Sequence, residues 1–308
     1  MQSWISWTCG LLVACGVPAF AQAPGDFHPE GYKLVFSDEF NGDKLDRNLW
    51  CTRYIYGGGA PAQIADSQCQ RAGGGTRDRL NDEKQRYVDS NTAGEPLHEQ
   101  RDGVLTLIAT MTGKSEAFPF ESAMVRSKKT FRPDTNISYY ITARVWLPRV
   151  RGTWAAFWLN SDYNADGKLS WPPEIDIFEA ALNDKEDREN MLHMGAVVSA
   201  APRQLLESHE LFNRRWRNYV VPYSLRERWI ETAVEWTQDK VCYYVDGVQA
   251  MCEAYEWRHR NGTQAPPAHI LLNLAVGGSW AGRHGIETDK FPARFSIDHL
   301  RVYERRTP

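Results

Sequence analysis

Three carboxylates interleaved with apolar residues constrain the fold of this chain more than any other stretch. The segment from Trp171 to Ala180 reads WPPEIDIFEA and holds Glu174, Asp176 and Glu179. β-Branched and aromatic residues favour a strand, and the two prolines argue against a helix running through the segment. On a regular strand Glu174 and Asp176 would share one face, but Glu179 lies five positions from Glu174 and would turn towards the core.

A β-bulge near Ile177 and Phe178 would resolve this mismatch. Such a bulge places two residues opposite one residue of the neighbouring strand, so the side chains beyond it change face. Glu179 would then join the other two carboxylates, and Phe178 would be buried instead. We therefore predict a bulge at this point and a row of three carboxylates on one face of the strand.

Short candidate strands follow one another through most of the chain. They are rich in β-branched and aromatic residues and are separated by Gly, Pro, Asp and Asn, which is typical of an antiparallel β-sandwich. The predicted strands are residues 34–36, 104–110, 123–127, 139–147, 153–159, 174–180, 191–198, 217–222, 232–237, 240–245, 270–276 and 296–304. A short helix is predicted within residues 203–212. No repeat or linker interrupts residues 27–306, so one domain is expected.

Composition argues against two classes of protein. A hydrophobic content of 42% is enough to build a sizeable core, which argues against a disordered chain. A net charge of −3 gives no general attraction to nucleic acid. Of the 12 tryptophans, ten remain once residues 1–22 are removed, which is more than a core of this size needs, and exposed indoles make flat apolar platforms for sugar rings.

Residues 1–22 have the pattern of an export signal. An apolar run precedes Ala19, Phe20 and Ala21, which form an A-x-A cleavage site, and Lys and Arg are absent from the start of the segment. Two alternatives stay open: a lipoprotein anchored through Cys15, which ends a lipoprotein-like box, or a retained anchor. No later segment has an apolar run long enough to span a bilayer, so a secreted or periplasmic protein is expected.

Four cysteines lie outside the predicted signal, and in an exported protein an even count permits two disulfides. Cys242 and Cys252 flank a hairpin with Asp-Gly at its turn, so they would face each other to within about one register step. Cys51 and Cys69 would close a glycine-rich loop. The spacing of the four does not suit a zinc site.

Six stretches lie in a characteristic order along the chain: residues 36–40, 152–159, 174–179, 233–237 with 244–247, 272–280 and 298–303. Together they make the chain resemble glycoside hydrolase family sixteen, the laminarinase, lichenase, agarase and carrageenase group. The resemblance covers nearly the whole chain after the signal, with Pro173 where a Gly often precedes the first Glu. It implies a β-jelly roll of the concanavalin A-like type with a concave substrate groove.

The resemblance also implies roles for the acidic row. Glu174 would be the nucleophile of a retaining glycosidase, Glu179 the acid/base, and Asp176 a helper between them, with no cofactor required. The crowding of three carboxylates is consistent with these roles, because all three cannot ionise cheaply and a general acid needs a raised pKa. His193, on the next predicted strand, is expected to hydrogen-bond Asp176 or Glu174.

Five further residues are candidates for binding the sugar chain. Trp154, Trp158 and Trp280 are candidate stacking platforms, although the apolar neighbours of Trp158 favour a core position for it. Glu83 and Gln85, in a polar and aromatic stretch, are candidates for binding sugar hydroxyls; the alternative for both is an ordinary solvated loop.

Two places in the sequence offer calcium ligands. Residues 162–167 match the first half of an EF-hand loop, but the twelfth position is Pro173 where the loop needs Glu, which favours a simple turn. The resemblance implies a different, structural calcium site that would involve Glu39 and Asp298 on the convex face.

The leading hypothesis is an exported, monomeric endo-β-glycosidase that acts on β-1,3- or β-1,3-1,4-glucan. The alternatives are a depolymerase of a bacterial exopolysaccharide or a galactan, a transglycosylase, and a non-catalytic carbohydrate-binding protein on the same fold. A relative that had lost catalysis would be expected to have lost a catalytic carboxylate, and all three are present here. Basic clusters near Arg126 and Arg214 would suit an acidic polymer, but a solvated surface is the preferred interpretation of both.

Overall fold

Nineteen strands arranged in two sheets hold about half of the described residues. The computed structural model describes residues 29–54, 69, 81–112, 118–161, 171–197 and 204–307. The strands are β1 (Lys33–Asp38), β2 (Trp50–Cys51), β3 (Gln85–Tyr87), β4 (His98–Arg101), β5 (Val104–Met111), β6 (Phe120–Ser122), β7 (Met124–Ser127), β8 (Ile137–Trp146), β9 (Thr153–Ser161), β10 (Glu174–Ala181), β11 (Met191–Val197), β12 (Leu205–Ser208), β13 (Phe212–Asn213), β14 (Asn218–Val220), β15 (Ile230–Trp236), β16 (Lys240–Val245), β17 (Val248–Ala254), β18 (Ala268–Val276) and β19 (Ala293–Arg306). One short helix, α1 (Gly278–Ala281), follows β18, and a 3₁₀ turn covers Thr288–Lys290.

The two sheets contain 11 and 8 strands. Sheet A has the order β12-β17-β16-β15-β8-β19-β5-β6-β3, with β1 paired to β19 and β4 paired to β5. Sheet B has the order β13-β14-β11-β10-β9-β18-β7-β2. All pairings are antiparallel except the one between β3 and β6. The prediction of an all-β antiparallel sandwich of the jelly-roll type is therefore confirmed.

The core is a single large apolar cluster to which strands of both sheets contribute. Ile141 from β8 and Phe295 from β19 belong to the same cluster as Phe157 from β9 and Leu272 from β18, and each is fully buried. Strand residues that point away from this cluster are more often polar or partly exposed, which is the alternation expected of a sheet with one buried face. The burial of this interior fixes which face of β10 can carry charged side chains.

The helix predicted within residues 203–212 is wrong for its described part. Leu205–Ser208 forms β12, whose Leu205 pairs with Glu253 and whose Ser208 pairs with Met251 of β17. Leu and Glu favour a helix on local grounds, but propensity is weak compared with the pairing that an unpaired strand edge offers. The edge of β17 therefore determines the structure of this segment.

Two disulfides are present: the expected bond between Cys242 and Cys252, and the bond between Cys51 and Cys69 that the sequence left open. Cys242 and Cys252 stand directly opposite each other in the β16–β17 hairpin. Its turn has positive φ angles at Asp246 (49°) and Gly247 (76°), which is the type I′ geometry that Asp-Gly favours. Cys51 of β2 is bonded to Cys69, 18 residues further along the chain. Within the described ranges we find no helix long and apolar enough to cross a membrane.

Candidate active site

The predicted β-bulge is present in β10. Against β9, Asp176 pairs with Trp158 and Glu179 pairs with Ala156, with a register shift between Asp176 and Phe178. Against β11, Asp176 pairs with Gly195 and Glu179 pairs with His193, so two residues of β10 oppose one of β11.

The bulge sends both of its central residues into the core. Ile177 is 1% exposed and Phe178 is fully buried, with the Phe178 ring centroid 6.3 Å from that of Phe157 and 6.2 Å from that of Phe295. Glu174, Asp176 and Glu179 are all partly exposed on the opposite side of the strand. We call this side of sheet B the carboxylate face, defined by these three residues and by His193 of β11.

Glu174, at the start of β10, is held by two hydrogen-bond donors. Asn160 Nδ2 of β9 donates to Glu174 Oε2 at 3.0 Å, and Trp171 Nε1 donates to the same oxygen at 3.2 Å. Burial raises the pKa of Glu174 to about 7, and the two donors oppose this rise because they stabilise the ionised form. Trp171 is therefore a site residue that the sequence did not single out for this role.

Glu179 carries the more strongly raised pKa of the pair. Burial is the main cause, and the neighbouring carboxylates of Glu174, Glu83 and Asp187 add to it, raising the pKa of Glu179 to about 8. The indole N–H of Trp154 lowers it somewhat, although its geometry falls short of an ordinary hydrogen bond. Because the two carboxylates repel each other, the pair retains a proton at a higher pH than an isolated carboxyl group would.

His193 has a different partner from the one predicted. Its Nε2 lies 2.5 Å from Asp187 Oδ1, in the turn between β10 and β11, and the prediction of a bond to Asp176 or Glu174 is corrected. The physical reason is register: His193 stands opposite Glu179, whereas Asp176 stands opposite Gly195. No periodic pattern marks Asp187, because its side chain is placed by a turn.

The three candidate tryptophans differ in exposure and in their contacts. Trp154, which lies beside Glu179, and Trp280 are both partly exposed, with ring centroids 4.7 Å apart in an edge-to-face arrangement. Trp158 is only 6% exposed, lies 5.5 Å from the Tyr54 ring, and donates from Nε1 to Asn273 Oδ1 at 2.8 Å. Trp158 is therefore a packed residue beneath Tyr54 and does not offer an open platform.

Glu83 and Gln85 are buried, which corrects the expectation that they bind sugar from a loop. Gln85 is fully buried, donates to Glu83 Oε2 at 2.6 Å, and accepts the Val276 N–H at 2.7 Å, so it ties β3 to β18. Glu83 is 2% exposed. Its effect on the site is electrostatic, since its carboxylate raises the pKa of Glu179.

The residues proposed for calcium do not fit that ion. Arg301 donates to both oxygens of Glu39, at 2.8 and 2.7 Å, so this carboxylate is already neutralised. Asp298 Oδ2 accepts from Arg144 at 3.1 Å and lies 3.2 Å from His299 Nδ1. Residues 162–167, the EF-hand-like stretch, lie outside the described residues.

Potential metal ligands elsewhere are equally unsuited. Within the described ranges, one group brings three such side chains together: Glu207, Cys242 and Cys252. The two cysteines are joined in a disulfide and therefore offer no thiolate to an ion.

A two-sheet β-jelly roll in which a bulged strand aligns two glutamates and an aspartate is the architecture of a class of glycoside hydrolases. The sequence agrees with this classification at the family level. The family model described as glycosyl hydrolases family 16 matches residues 85–298, and the chain belongs to that family.

Individual relatives and solved structures agree with this assignment. The chain is 31% identical over 170 residues to a beta-glucanase of Rhodothermus marinus, covering 52% of this chain and 55% of the relative. It is 28% identical over 293 residues to the glucan endo-1,3-beta-glucosidase A1 of Niallia circulans, covering 92% and 39%. The chain thus spans about half or less of these relatives' lengths. The X-ray structure of the laminarinase from Rhodothermus marinus is similar with a TM-score of 0.63 and 25% identity, over 90% of this chain and 98% of that one.

Proposed function

We propose that the chain is an exported, retaining endo-β-glycosidase that hydrolyses internal linkages of β-1,3- or β-1,3-1,4-glucan. The observation that carries the proposal is the bulge in β10, which aligns Glu174, Asp176 and Glu179 on the carboxylate face. The names of the relatives, an endo-1,3-beta-glucosidase and a laminarinase, support the glucan as the first substrate to test.

The first half of the reaction uses the two glutamates in opposite protonation states. The ionised Glu174 attacks the anomeric carbon, and a covalent bond forms between its oxygen and the sugar. At the same time Glu179 gives its proton to the glycosidic oxygen, so the leaving sugar departs as an alcohol. The raised pKa of Glu179 supports this role, because the acid must be protonated at the working pH.

The second half reverses the role of Glu179. Once Glu174 is an ester it carries no charge, so the repulsion that favoured a protonated Glu179 is weaker. The Glu179 carboxylate then takes a proton from water, and the hydroxide oxygen attacks the anomeric carbon and releases Glu174. Two displacements at one carbon return the original anomeric configuration, which is the meaning of retention.

Export is supported by the two disulfides, since such bonds persist in oxidising compartments. The anchoring of the chain through Cys15 is the alternative to release from the cell. Cys15 and the rest of residues 1–22 lie outside the described residues.

A substrate panel tests the proposal. The purified protein, offered laminarin, lichenan, agarose, carrageenan and succinoglycan, is expected to release reducing ends fastest from laminarin or lichenan. Proton NMR at early times should show the β-anomer first. Cleavage of succinoglycan or of a galactan alone would replace the glucan assignment with the corresponding alternative, and an initial α-anomer would contradict retention. Excess transfer to an added oligosaccharide would indicate a transglycosylase.

Trp171→Phe is expected to move the acidic limb of the activity profile to higher pH. The variant removes the indole N–H that stabilises the ionised Glu174, so the pKa of Glu174 rises further. Because the nucleophile must be ionised, activity is then lost at a higher pH as the solution is acidified. The measurement is kcat/KM on laminarin between pH 4 and 9, where kcat/KM reports the free enzyme.

The matched control for this prediction is Trp216→Phe. Trp216 is 60% exposed and its ring stacks on Arg215, 4.9 Å from the guanidinium carbon. This variant should leave the acidic limb in place. An acidic limb that does not move in Trp171→Phe would mean that the indole contact has no influence on the nucleophile.

A further inference from the structure

Asp187 occupies a buried position at the edge of the carboxylate face. It ends a tight turn after β10, in which Asn183 Oδ1 accepts the N–H groups of Lys185, Glu186 and Asp187, each at 3.0 Å. Asn183 is fully buried and Asp187 is 4% exposed. A buried carboxylate in a loop is uncommon unless it is paired or hydrogen-bonded, so its partners are informative.

Three donors from three different parts of the chain converge on this carboxylate. His193 Nε2 of β11 lies 2.5 Å from Oδ1, Trp280 Nε1 of α1 donates to Oδ2 at 2.7 Å, and Asn183 Nδ2 donates to the same oxygen at 2.6 Å. Burial alone would raise the pKa of Asp187, but the hydrogen bonds from His193, Trp280 and Asn183 lower it overall. Asp187 is therefore ionised at neutral pH.

The rings that Asp187 holds lie around Glu179. His193 is the cross-strand neighbour of Glu179, and the Trp280 ring centroid is 5.0 Å from that of His193. The Trp280 ring also contacts the Trp154 ring, which lies beside Glu179. None of these contacts involves Glu174, whose donors come from Asn160 and Trp171. The carboxylate face thus has two separate sets of supporting contacts, one for each glutamate.

We propose that Asp187 is the positioning residue of the acid/base: it fixes His193 and Trp280 beside Glu179 and supplies a permanent negative charge on that side of the site. This inference rests on the proposed function, because it assigns Glu179 as the group that protonates the leaving sugar. Asp187 touches the substrate in neither half of the reaction. It acts through the two rings and through its charge, which favours the protonated form of Glu179.

Asp187→Asn separates these effects from simple folding. The amide has the shape of the carboxylate but removes its charge and one acceptor oxygen. We expect kcat on laminarin to fall about tenfold, a part of the 10²–10⁴-fold that proton transfer contributes. The basic limb of kcat/KM should also move to lower pH, because loss of the charge lowers the pKa of Glu179 and the acid then loses its proton earlier as pH rises.

The titratable groups on the same face as Glu179 or close to it are Glu174 and Asp176 on the same strand, His193 on β11, Glu83 just before β3 and Asp187 in the turn. Asp187→Asn removes the charge of the turn carboxylate and leaves the carboxyl groups of Glu174, Asp176 and Glu83 in place. A defect that came only from lower stability would lower activity at all pH values and leave the limb unmoved.

Asp184→Asn is the matched control, because it makes the same chemical change in the same turn. Asp184 is half-exposed, and its carboxylate lies 3.7 Å from Arg151 and away from the rings. Asn is well tolerated at its φ of 65°. This variant should keep the wild-type kcat and the wild-type position of the basic limb of kcat/KM.

A second substrate distinguishes proton donation from binding. The dinitrophenolate group of a dinitrophenyl oligoglucoside leaves without protonation, so the Asp187→Asn defect in the first displacement on this substrate should be smaller than the defect on laminarin. Equal defects on both substrates would overturn the inference. A basic limb of kcat/KM that stays at the same pH in Asp187→Asn as in Asp184→Asn would overturn it too. If Asp187→Asn does not fold, Trp280→Phe removes one donor from the same carboxylate and keeps a ring, and an unchanged kcat and KM there would contradict the inference. Absence of glucan hydrolysis in the wild type would instead refute the proposed function.

Discussion

Glu174→Gln is expected to abolish hydrolysis of laminarin while the polysaccharide is still bound. Glutamine has the shape of glutamate and keeps an oxygen for the Asn160 and Trp171 donors, but it cannot form the glycosyl ester. Loss of a nucleophile typically lowers kcat by at least about 10⁴-fold. The measurements are reducing-end release for turnover and affinity electrophoresis in laminarin gels for binding.

Two companion variants make this result decisive. Glu256→Gln changes an exposed glutamate that pairs only with Arg258 among the described contacts, and it should keep full activity. Glu179→Gln should also lose laminarin turnover, but the first displacement on a dinitrophenyl oligoglucoside should survive because that leaving group needs no proton. Turnover of laminarin by Glu174→Gln at the wild-type rate would remove Glu174 from the nucleophile's role. Binding of laminarin without turnover by the wild-type protein would instead favour a non-catalytic carbohydrate-binding protein.

Arg226→Met is expected to lower the free energy of unfolding strongly. Arg226 is fully buried. Its guanidinium donates to the backbone oxygen of Pro148, which follows β8, and to those of Ala180 and Ala181 at the end of β10. Burial lowers its pKa to about 10, so it is still charged at neutral pH. Methionine fills part of the volume but leaves three buried carbonyls without this donor, which should cost about 3 kcal/mol and lower Tm by roughly 10 °C.

Arg228→Met provides the comparison for this stability measurement. Arg228 is two residues away, partly exposed, and paired with Asp246 at 3.0 Å. A partly exposed pair of this kind contributes less than about 1 kcal/mol. Similar Tm values for the two variants in a thermal melt would show that the carbonyls find other partners when Arg226 is removed.

The features that were predictable from the sequence depend on short repeating patterns. The bulge followed from parity, because Glu174 and Glu179 are separated by an odd number of positions on a structure of period two. The disulfide between Cys242 and Cys252 followed from the turn chemistry of Asp246 and Gly247. In both cases a few neighbouring residues contain all of the information that determines the geometry.

The unpredictable features join parts of the chain that no local pattern connects. Asp187 and Trp280 lie 93 positions apart, and Gln85 and Val276 lie 191 positions apart. The chemistry of Gln85, a polar side chain in a polar stretch, suggests solvent, yet sheet pairing buries it completely. The segment Leu205–Ser208 likewise departs from its local preference, since it has helical propensity but pairs as a strand with the edge of β17.

In a regular strand, the packing of the core side chains and the arrangement of the polar side chains depend on each other. The bulge in β10 removes this dependence. In a regular strand, adding one residue to the core side moves every later side chain to the other face. Here Ile177 and Phe178 both enter the interior, while Glu179 stays with Glu174 and Asp176. The interior could therefore gain a large aromatic ring during evolution without any change in the arrangement of the acids, and packing and chemistry at this strand can vary independently.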